Sequence, residues 1–248
     1  MTDLVVARDL CKQFGGGRKQ ATLAVDHVSF ACRAGEVYGL LGPNGAGKTT
    51  TLRMLSTVLS PTRGTALVAG HDVVTDGHKA RQSIGFLSGN TGLYGRLTPV
   101  EVLRYFGQLQ GMPLDRIDTR IDELSGLLGM TGFLGKRCDQ LSTGMKQKVN
   151  VARTVLHDPP VLVLDEPTSG LDVLAARTIV EFIRRSRGEG KCVVFSTHIM
   201  GEVSRLCDRL GIIHAGRMQF EGSLDELRAT AGDDLEEAFV AILDRAAA

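Results

Sequence analysis

Three groups of residues in this 248-residue chain have types and spacing suited to phosphate chemistry. The first is Gly42-Pro43-Asn44-Gly45-Ala46-Gly47-Lys48-Thr49-Thr50, which carries the G-x-x-x-x-G-K-T spacing of a P-loop. Glycines at 42, 45 and 47 let the backbone turn without side-chain obstruction, so successive N–H groups can face phosphate oxygens. Lys48 is placed to reach the β and γ phosphates of a nucleotide, and the Thr49 hydroxyl to ligate Mg²⁺. The second group is Asp165-Glu166: the aspartate is a candidate ligand for the same Mg²⁺, the glutamate a general base for water attacking a γ-phosphate. The third is His198, which follows a separate apolar run and can point its imidazole at the γ-phosphate side.

These side chains need a sheet that brings them to one edge. Apolar runs at 37–41, 161–164 and 192–195 read as buried strands, and each ends at one of the three groups. Strands that alternate with helices indicate a parallel sheet whose function gathers at the strands' C-terminal ends. Taken alone, an acid pair after a strand also serves as a helix cap, and a lone histidine is more often simply solvated. A shared sheet with a P-loop favours the catalytic reading. The histidines at 27, 71, 78, 157 and 214 have no such placement and read as solvated or locally hydrogen-bonded.

Around that frame, residues 4–10 and 23–30 alternate apolar and polar side chains, as half-buried antiparallel strands do, with a glycine-rich loop at 15–17. Phe14 ends the first of them and is either core or a platform for a nucleotide base. The helix after Thr49 carries Leu52, Leu55 and Leu59 on one face and is expected to run to Ser60-Pro61. Short strands are expected at 65–69 and 71–74, then a turn-rich, mobile connection at 86–95. Thr98, Pro99 and Glu101 form a capping box that opens a helix with Val102, Leu103, Phe106 and Leu109 as its stripe. A second helix covers 114–128 and a third begins at Ser142, so 96–156 reads as an all-helical insertion. A helix at 171–187, closing strands at 209–214 and 217–220, and an amphipathic tail behind a Ser223–Glu226 capping box complete the chain.

Composition bounds the rest. Hydrophobic content of 43% and charged content of 23% are those of an ordinary globular protein, and the net charge of +1 supplies no basic excess to recruit nucleic acid. The five cysteines, at 11, 32, 138, 192 and 207, include no C-x-x-C pair and read as reduced thiols in a cytosolic protein. No stretch reaches the ~18 to 20 apolar residues of a membrane-spanning helix, and the N-terminus has no signal-peptide core. A membrane role is therefore expected at the surface, through a partner.

In order, GPNGAGKT at 42–49, LSTGM at 141–145, VLVLDEP at 161–167, SGLD at 169–172 and His198 resemble the nucleotide-binding subunit of an ABC transporter. The resemblance covers essentially the whole chain, and LSTGM is far more specific than the P-loop. The N-K-x-D base reader of a P-loop GTPase is absent. What the resemblance implies is an α/β P-loop NTPase with a mostly parallel sheet, an N-terminal antiparallel β subdomain and an all-helical ABC-specific insertion. One domain would comprise an ATPase core (1–95 with 157–222), a helical subdomain (96–156) and a C-terminal helical tail (223–248). It would bind ATP and Mg²⁺ and pair head to tail with a second copy of itself or a homologous subunit. Each ATP would then lie between the P-loop of one subunit and Leu141-Ser142-Thr143-Gly144-Met145 of the other. Ser142 at a helix N-terminus suits that contact, because its hydroxyl, nearby N–H groups and the helix dipole all favour a phosphate. Asp172 would belong to the inter-subunit loop and His198 would act as the γ-phosphate switch. The subunit would sit on the cytoplasmic face of the cell membrane and drive a separate multi-span membrane subunit.

TGLYGRLTPVE, LSTGM and the short tail are similar to ATP-binding subunits of bacterial sodium- or drug-efflux exporters. The sequence departs from the family in two places. Members usually carry a glutamine after the strand at 84–87, touching Mg²⁺ and the attacking water; the aligned place here is Gly89, beside Ser88 and Asn90. Either Asn90 serves or water fills the gap. Thr143 replaces a common glycine of the signature, a tolerable addition. Two other readings compete. A soluble ABC ATPase acting on nucleic acid or ribosomes would usually carry a coiled-coil insertion or a second such domain. A weakly hydrolysing regulatory module fits the missing glutamine but not Glu166 with His198.

Overall fold

The computed structural model describes residues 2–16, 19–89, 92–231 and 234–247. Strands β1 (Asp3–Gly16) and β2 (Lys19–Arg33) form an antiparallel pair, and β3 (Val37–Leu41) runs into the P-loop and helix α1 (Lys48–Leu55). Strands β4 (Arg63–Val68) and β5 (His71–Asp72) complete an antiparallel sheet of order β2-β1-β4-β5. Helix α2 (Gly77–Gln82) precedes β6 (Ile84–Leu87). Helices α3 (Pro99–Leu109), α4 (Leu114–Leu128) and α5 (Thr143–Val155) fall between β6 and β7 (Val161–Asp165). Then come α6 (Val173–Gly188), β8 (Cys192–Thr197), α7 (Met200–Leu206), β9 (Arg209–His214), β10 (Arg217–Ser223), α8 (Leu224–Ala231) and α9 (Leu235–Ala247).

The second sheet has the order β10-β9-β3-β8-β7-β6, with β10 antiparallel to β9 and every other neighbour parallel. Both faces of β3, β7 and β8 are buried, which is why these strands read as continuous apolar runs. Val37 and Leu41, Leu162 and Leu164, and Val193 and Phe195 face the core shared with the helices. Tyr38 and Leu40, Val161 and Val163, and Cys192 and Val194 face the core shared with α1 and the antiparallel sheet. Parallel register sets Asp165 opposite Ser196, and Leu41 opposite Thr197, so the functional strand ends are level. Leu227, Leu235, Ala238 and Ile242 of the C-terminal helices join the first of these cores.

Local chemistry moves several boundaries from their expected places. Helix α1 ends at Leu55: Ser56 Oγ donates back to Leu52 O at 2.9 Å, Thr57 turns to φ 59°, and the N–H groups of Val58 and Leu59 close on Arg53 O. Strand β5 stops at Asp72, whose Oδ1 accepts from the N–H groups of Val74 and Thr75 at 2.8 and 3.0 Å. The turn-rich connection has a defined seat over 92–97: Cys138 N donates to Leu97 O, Asp139 N donates to Gly95 O, and Leu93 and Leu97 pack on the core. Helix α6 starts only after Asp172, and the sequence reading omitted α2 and α7. Gly17 and Asn90 lie outside the described residues. All five cysteines are free and buried.

Candidate active site

The P-loop closes a small cavity of about 150 Å³, lined by Ala24, residues 44–50 and Glu166. Gly47 adopts φ 110°, and a Cβ there would lie 2.6 Å from Ala24 O, so only glycine lets the loop pass under β2. No side chain caps α1, which leaves its first-turn amides and the positive end of its dipole to an anion. Lys48 is buried, and its Nζ donates to Gly42 O at 2.6 Å and Pro43 O at 3.1 Å. Burial lowers the pKa of this ammonium, and the charges of Glu166 and Asp165 partly oppose the shift.

Beside the loop, one carboxylate organises two strands. Asp165 Oδ1 accepts from Thr49 Oγ1 at 3.0 Å and from Ser196 Oγ at 2.7 Å. The same Ser196 hydroxyl accepts from Glu166 N–H at 3.0 Å. That bond pins Glu166 with φ 47°, a left-handed conformation that costs a non-glycine residue about 1 kcal/mol or more. The result is a side chain aimed from the end of β7 into the cavity. His198 Nδ1 lies 3.4 Å from Glu166 Oε1, both side chains being partly open to solvent at 54% and 28%. Lys48, Thr49, Asp165, Glu166 and His198, three separate groups in the chain, therefore form one connected site.

The signature segment stands elsewhere. Ser142 caps α5, its Oγ accepting from Met145 N–H at 3.3 Å, with Ser142 and Thr143 exposed, Met145 half-buried and Leu141 buried. Gly144 is buried against the start of α6: a Cβ there would meet Ala175 Cβ at 2.8 Å. Asp172 caps α6, accepting from Ala175 N–H at 2.9 Å, so its loop and the signature turn are packed together. Among the described residues, none of 141–145 lines the P-loop cavity, and neither does Phe14, which is 42% exposed beneath Lys12 Nζ. Gly89 follows β6 close to Asp165 O and offers no side chain to a metal or water. The sequence reading missed the role of Ser196, and it missed Thr168, Thr197 and Glu202, which are hydrogen-bonded together and buried. For Ser196 and Thr197 the available signal was polar residues ending a strand that is otherwise wholly apolar.

Comparison with known proteins agrees with this geometry. The profile of the ABC transporter family matches residues 25–169. A second profile, described as an AAA domain, putative AbiEii toxin of a type IV toxin–antitoxin system, matches residues 137–204. The ABC transporter ATP-binding protein NatA of Bacillus subtilis is 41% identical over 98% of this chain and 99% of its own. The probable multidrug ABC transporter ATP-binding protein YbhF of Escherichia coli is 37% identical over 97% of this chain and 42% of its own. A solved ATP-binding subunit of an ABC transporter superposes with a TM-score of 0.86 at 30% identity, covering 97% of this chain and 99% of that one. A dimeric ATP-binding cassette in a post-hydrolysis state with ADP and Pi shares the fold, at 24% identity and a TM-score of 0.80. A P-loop, an acid pair and a histidine joined at the end of one parallel sheet, with these relatives over nearly its full length, identify the chain as a member of the ABC transporter family, an ATP-binding subunit.

Proposed function

We propose that this chain is the ATP-driven motor of an exporter, working at the cytoplasmic face of a membrane through a separate multi-span subunit and as a head-to-tail pair of ATP-binding subunits. The observation that carries the pairing is the division of the site. The P-loop cavity holds Ala24, residues 44–50 and Glu166 but no signature residue, while Ser142 presents a capped helix N-terminus on an exposed turn. A second subunit's signature completes such a half-site with donors for a γ-phosphate. Exposed Val173 and Leu174, directly after Asp172, provide apolar contact for the same interface. Phe14 serves as the platform for the base.

Thr49 Oγ1 and Asp165 Oδ1, 3.0 Å apart, are the hard oxygen donors that Mg²⁺ prefers, so these residues fit the ion. Bound there with ATP, the ion would neutralise charge on the β and γ phosphates. The chain's own groups do the remainder. Lys48 exchanges its carbonyl acceptors for phosphate oxygens, Glu166 takes the proton from the attacking water, and His198 orients Glu166 and holds the γ-phosphate. Cleavage breaks the bond that ties the γ-phosphate to the nucleotide, and its release takes away the anion that bridges the two subunits, so hydrolysis followed by phosphate release converts closed into open.

Export rather than import is supported by relatives named for multidrug transport, daunorubicin resistance and Nod factor export. No helix among the described residues is long and apolar enough to cross a membrane. A groove of about 650 Å³ between the sheet and the α3–α5 region, lined by Arg53, Phe86, Ser88, Tyr94 and Arg153, suits a helix of the membrane subunit. The test is gentle purification of the tagged protein from detergent-solubilised membranes, followed by mass spectrometry. A stoichiometric multi-span protein is expected. Recovery in the soluble fraction with ribosomal or DNA-bound proteins would instead favour the soluble ATPase.

A further inference from the structure

One buried carboxylate bridges the loops that carry the two residues facing the γ-phosphate. Glu202, in α7, is 8% exposed, and its two oxygens serve different segments. Oε1 accepts from the hydroxyl of Thr168, two residues after Glu166. Oε2 accepts from the hydroxyl of Thr197 at 2.7 Å, one residue before His198. Both threonines are buried, at 5% and 2% exposure. Thr197 Oγ1 also accepts from Ile199 N–H at 3.1 Å, which commits its proton to Glu202.

The loop from Glu166 to Asp172 is held at further points. Ser169 N–H donates to Glu166 O, Leu171 N–H donates to Thr168 O, and Gln147 of the signature helix donates to Pro167 O at 2.7 Å. Its link to the His198 loop on the far side from Ser196 is Glu202. The Glu166–His198 contact of 3.4 Å joins two partly exposed side chains, and such a pair is not held in place by its own bond.

We propose that Glu202 is a positioning residue for hydrolysis: its carboxylate clamps Thr168 to Thr197 and so fixes the spacing of Glu166 and His198. This rests on the reading of Glu166 as the base. Misplacing a catalytic group by about 1 Å can lower a rate by about 100-fold, so a clamp remote from the substrate can control turnover without touching ATP. The chemistry also predicts which arm each variant cuts. In Glu202→Gln the amide oxygen can still accept from Thr197 while the NH₂ donates to the Thr168 oxygen, so the span is kept but the charge is lost and the Thr168 proton loses its acceptor. Glu202→Gln should therefore weaken the arm that Thr168→Val removes.

The experiment measures kcat at saturating ATP, ATP affinity by calorimetry, and thermal midpoint for Glu202→Gln, Thr168→Val, their double variant and Glu166→Gln. Each single clamp variant should lower kcat, Thr168→Val by about 10- to 100-fold and Glu202→Gln by no more than that, with ATP affinity unchanged, and the double should match Thr168→Val because both act on one arm. A purely structural role would lower the thermal midpoint in all three while leaving kcat of the folded protein within about twofold of wild type, and that result overturns the clamp. So does a loss confined to ATP affinity. Thr168→Val keeps the inference falsifiable if Glu202→Gln fails to fold. If Glu166→Gln abolishes turnover while Thr168→Val is silent, the base stands and the clamp falls. Wild-type turnover in Glu166→Gln defeats both.

Discussion

Replacing Ser196 with alanine tests how the site is built, because one hydroxyl joins the Asp165 carboxylate to the backbone of Glu166. Ser196 is fully buried; it donates to Asp165 Oδ1 at 2.7 Å and accepts from Glu166 N–H at 3.0 Å. A hydrogen bond to a charged group is worth about 1.5–3 kcal/mol, and a buried donor left unpaired costs about 1–3 kcal/mol. Thr49 keeps its bond to Asp165, so the ion is not stripped bare and the two losses do not add in full. The expected penalty is about 2–4 kcal/mol, with the left-handed Glu166 backbone freed to relax. Urea unfolding without nucleotide measures it, as a lower midpoint at unchanged m-value. A penalty below about 0.5 kcal/mol at the same m-value would refute the reasoning, since that is the range of a surface change.

Lys48 and His157 give two further expected outcomes. Lys48→Ala removes a charge-assisted phosphate contact, so ATP affinity by calorimetry should fall by about 10- to 100-fold, and an unchanged affinity would count against the P-loop assignment. His157 is held below the ordinary imidazole range, chiefly by burial, with Nε2 at 3.2 Å from Ile84 O. As pH falls through about 6.5 the unfolded chain takes the proton first, so stability present at neutral pH is lost below it. Urea midpoints at pH 7.5 and 5.5 should differ less in His157→Gln than in wild type; equal slopes would remove His157 from the acid response.

Much of the site was readable because it lies in short contiguous motifs. Gly42 to Thr50 and Asp165-Glu166 are local in sequence, and burial on both faces makes their strands continuous apolar runs. Ser142 and Asp172 were legible as residues but not as neighbours: Gly144 brings them together only once α5 packs on α6. Ser196 escaped because its partners are 30 and 31 residues away, and parallel register, not local pattern, sets it opposite Asp165. Glu202 sits on a short helix whose apolar positions, Met200, Val203 and Leu206, are too few to announce it, and a glutamate in isolation gives no sign that it will be buried between two threonines. Boundaries slipped where a side chain took over backbone hydrogen bonding, as Asp72 does at the end of β5.

The most direct test of the composite site is the mass in solution of the Glu166→Gln variant with and without ATP, by analytical ultracentrifugation. With its general base removed, the variant should bind ATP, hydrolyse it about 10²- to 10⁴-fold more slowly than wild type, and sediment as a dimer only when ATP is present. Exchanging the exposed Ser142 for a bulky acid should abolish that dimer without lowering ATP affinity. A variant that stays monomeric with saturating ATP, or that turns over like wild type, would contradict the account.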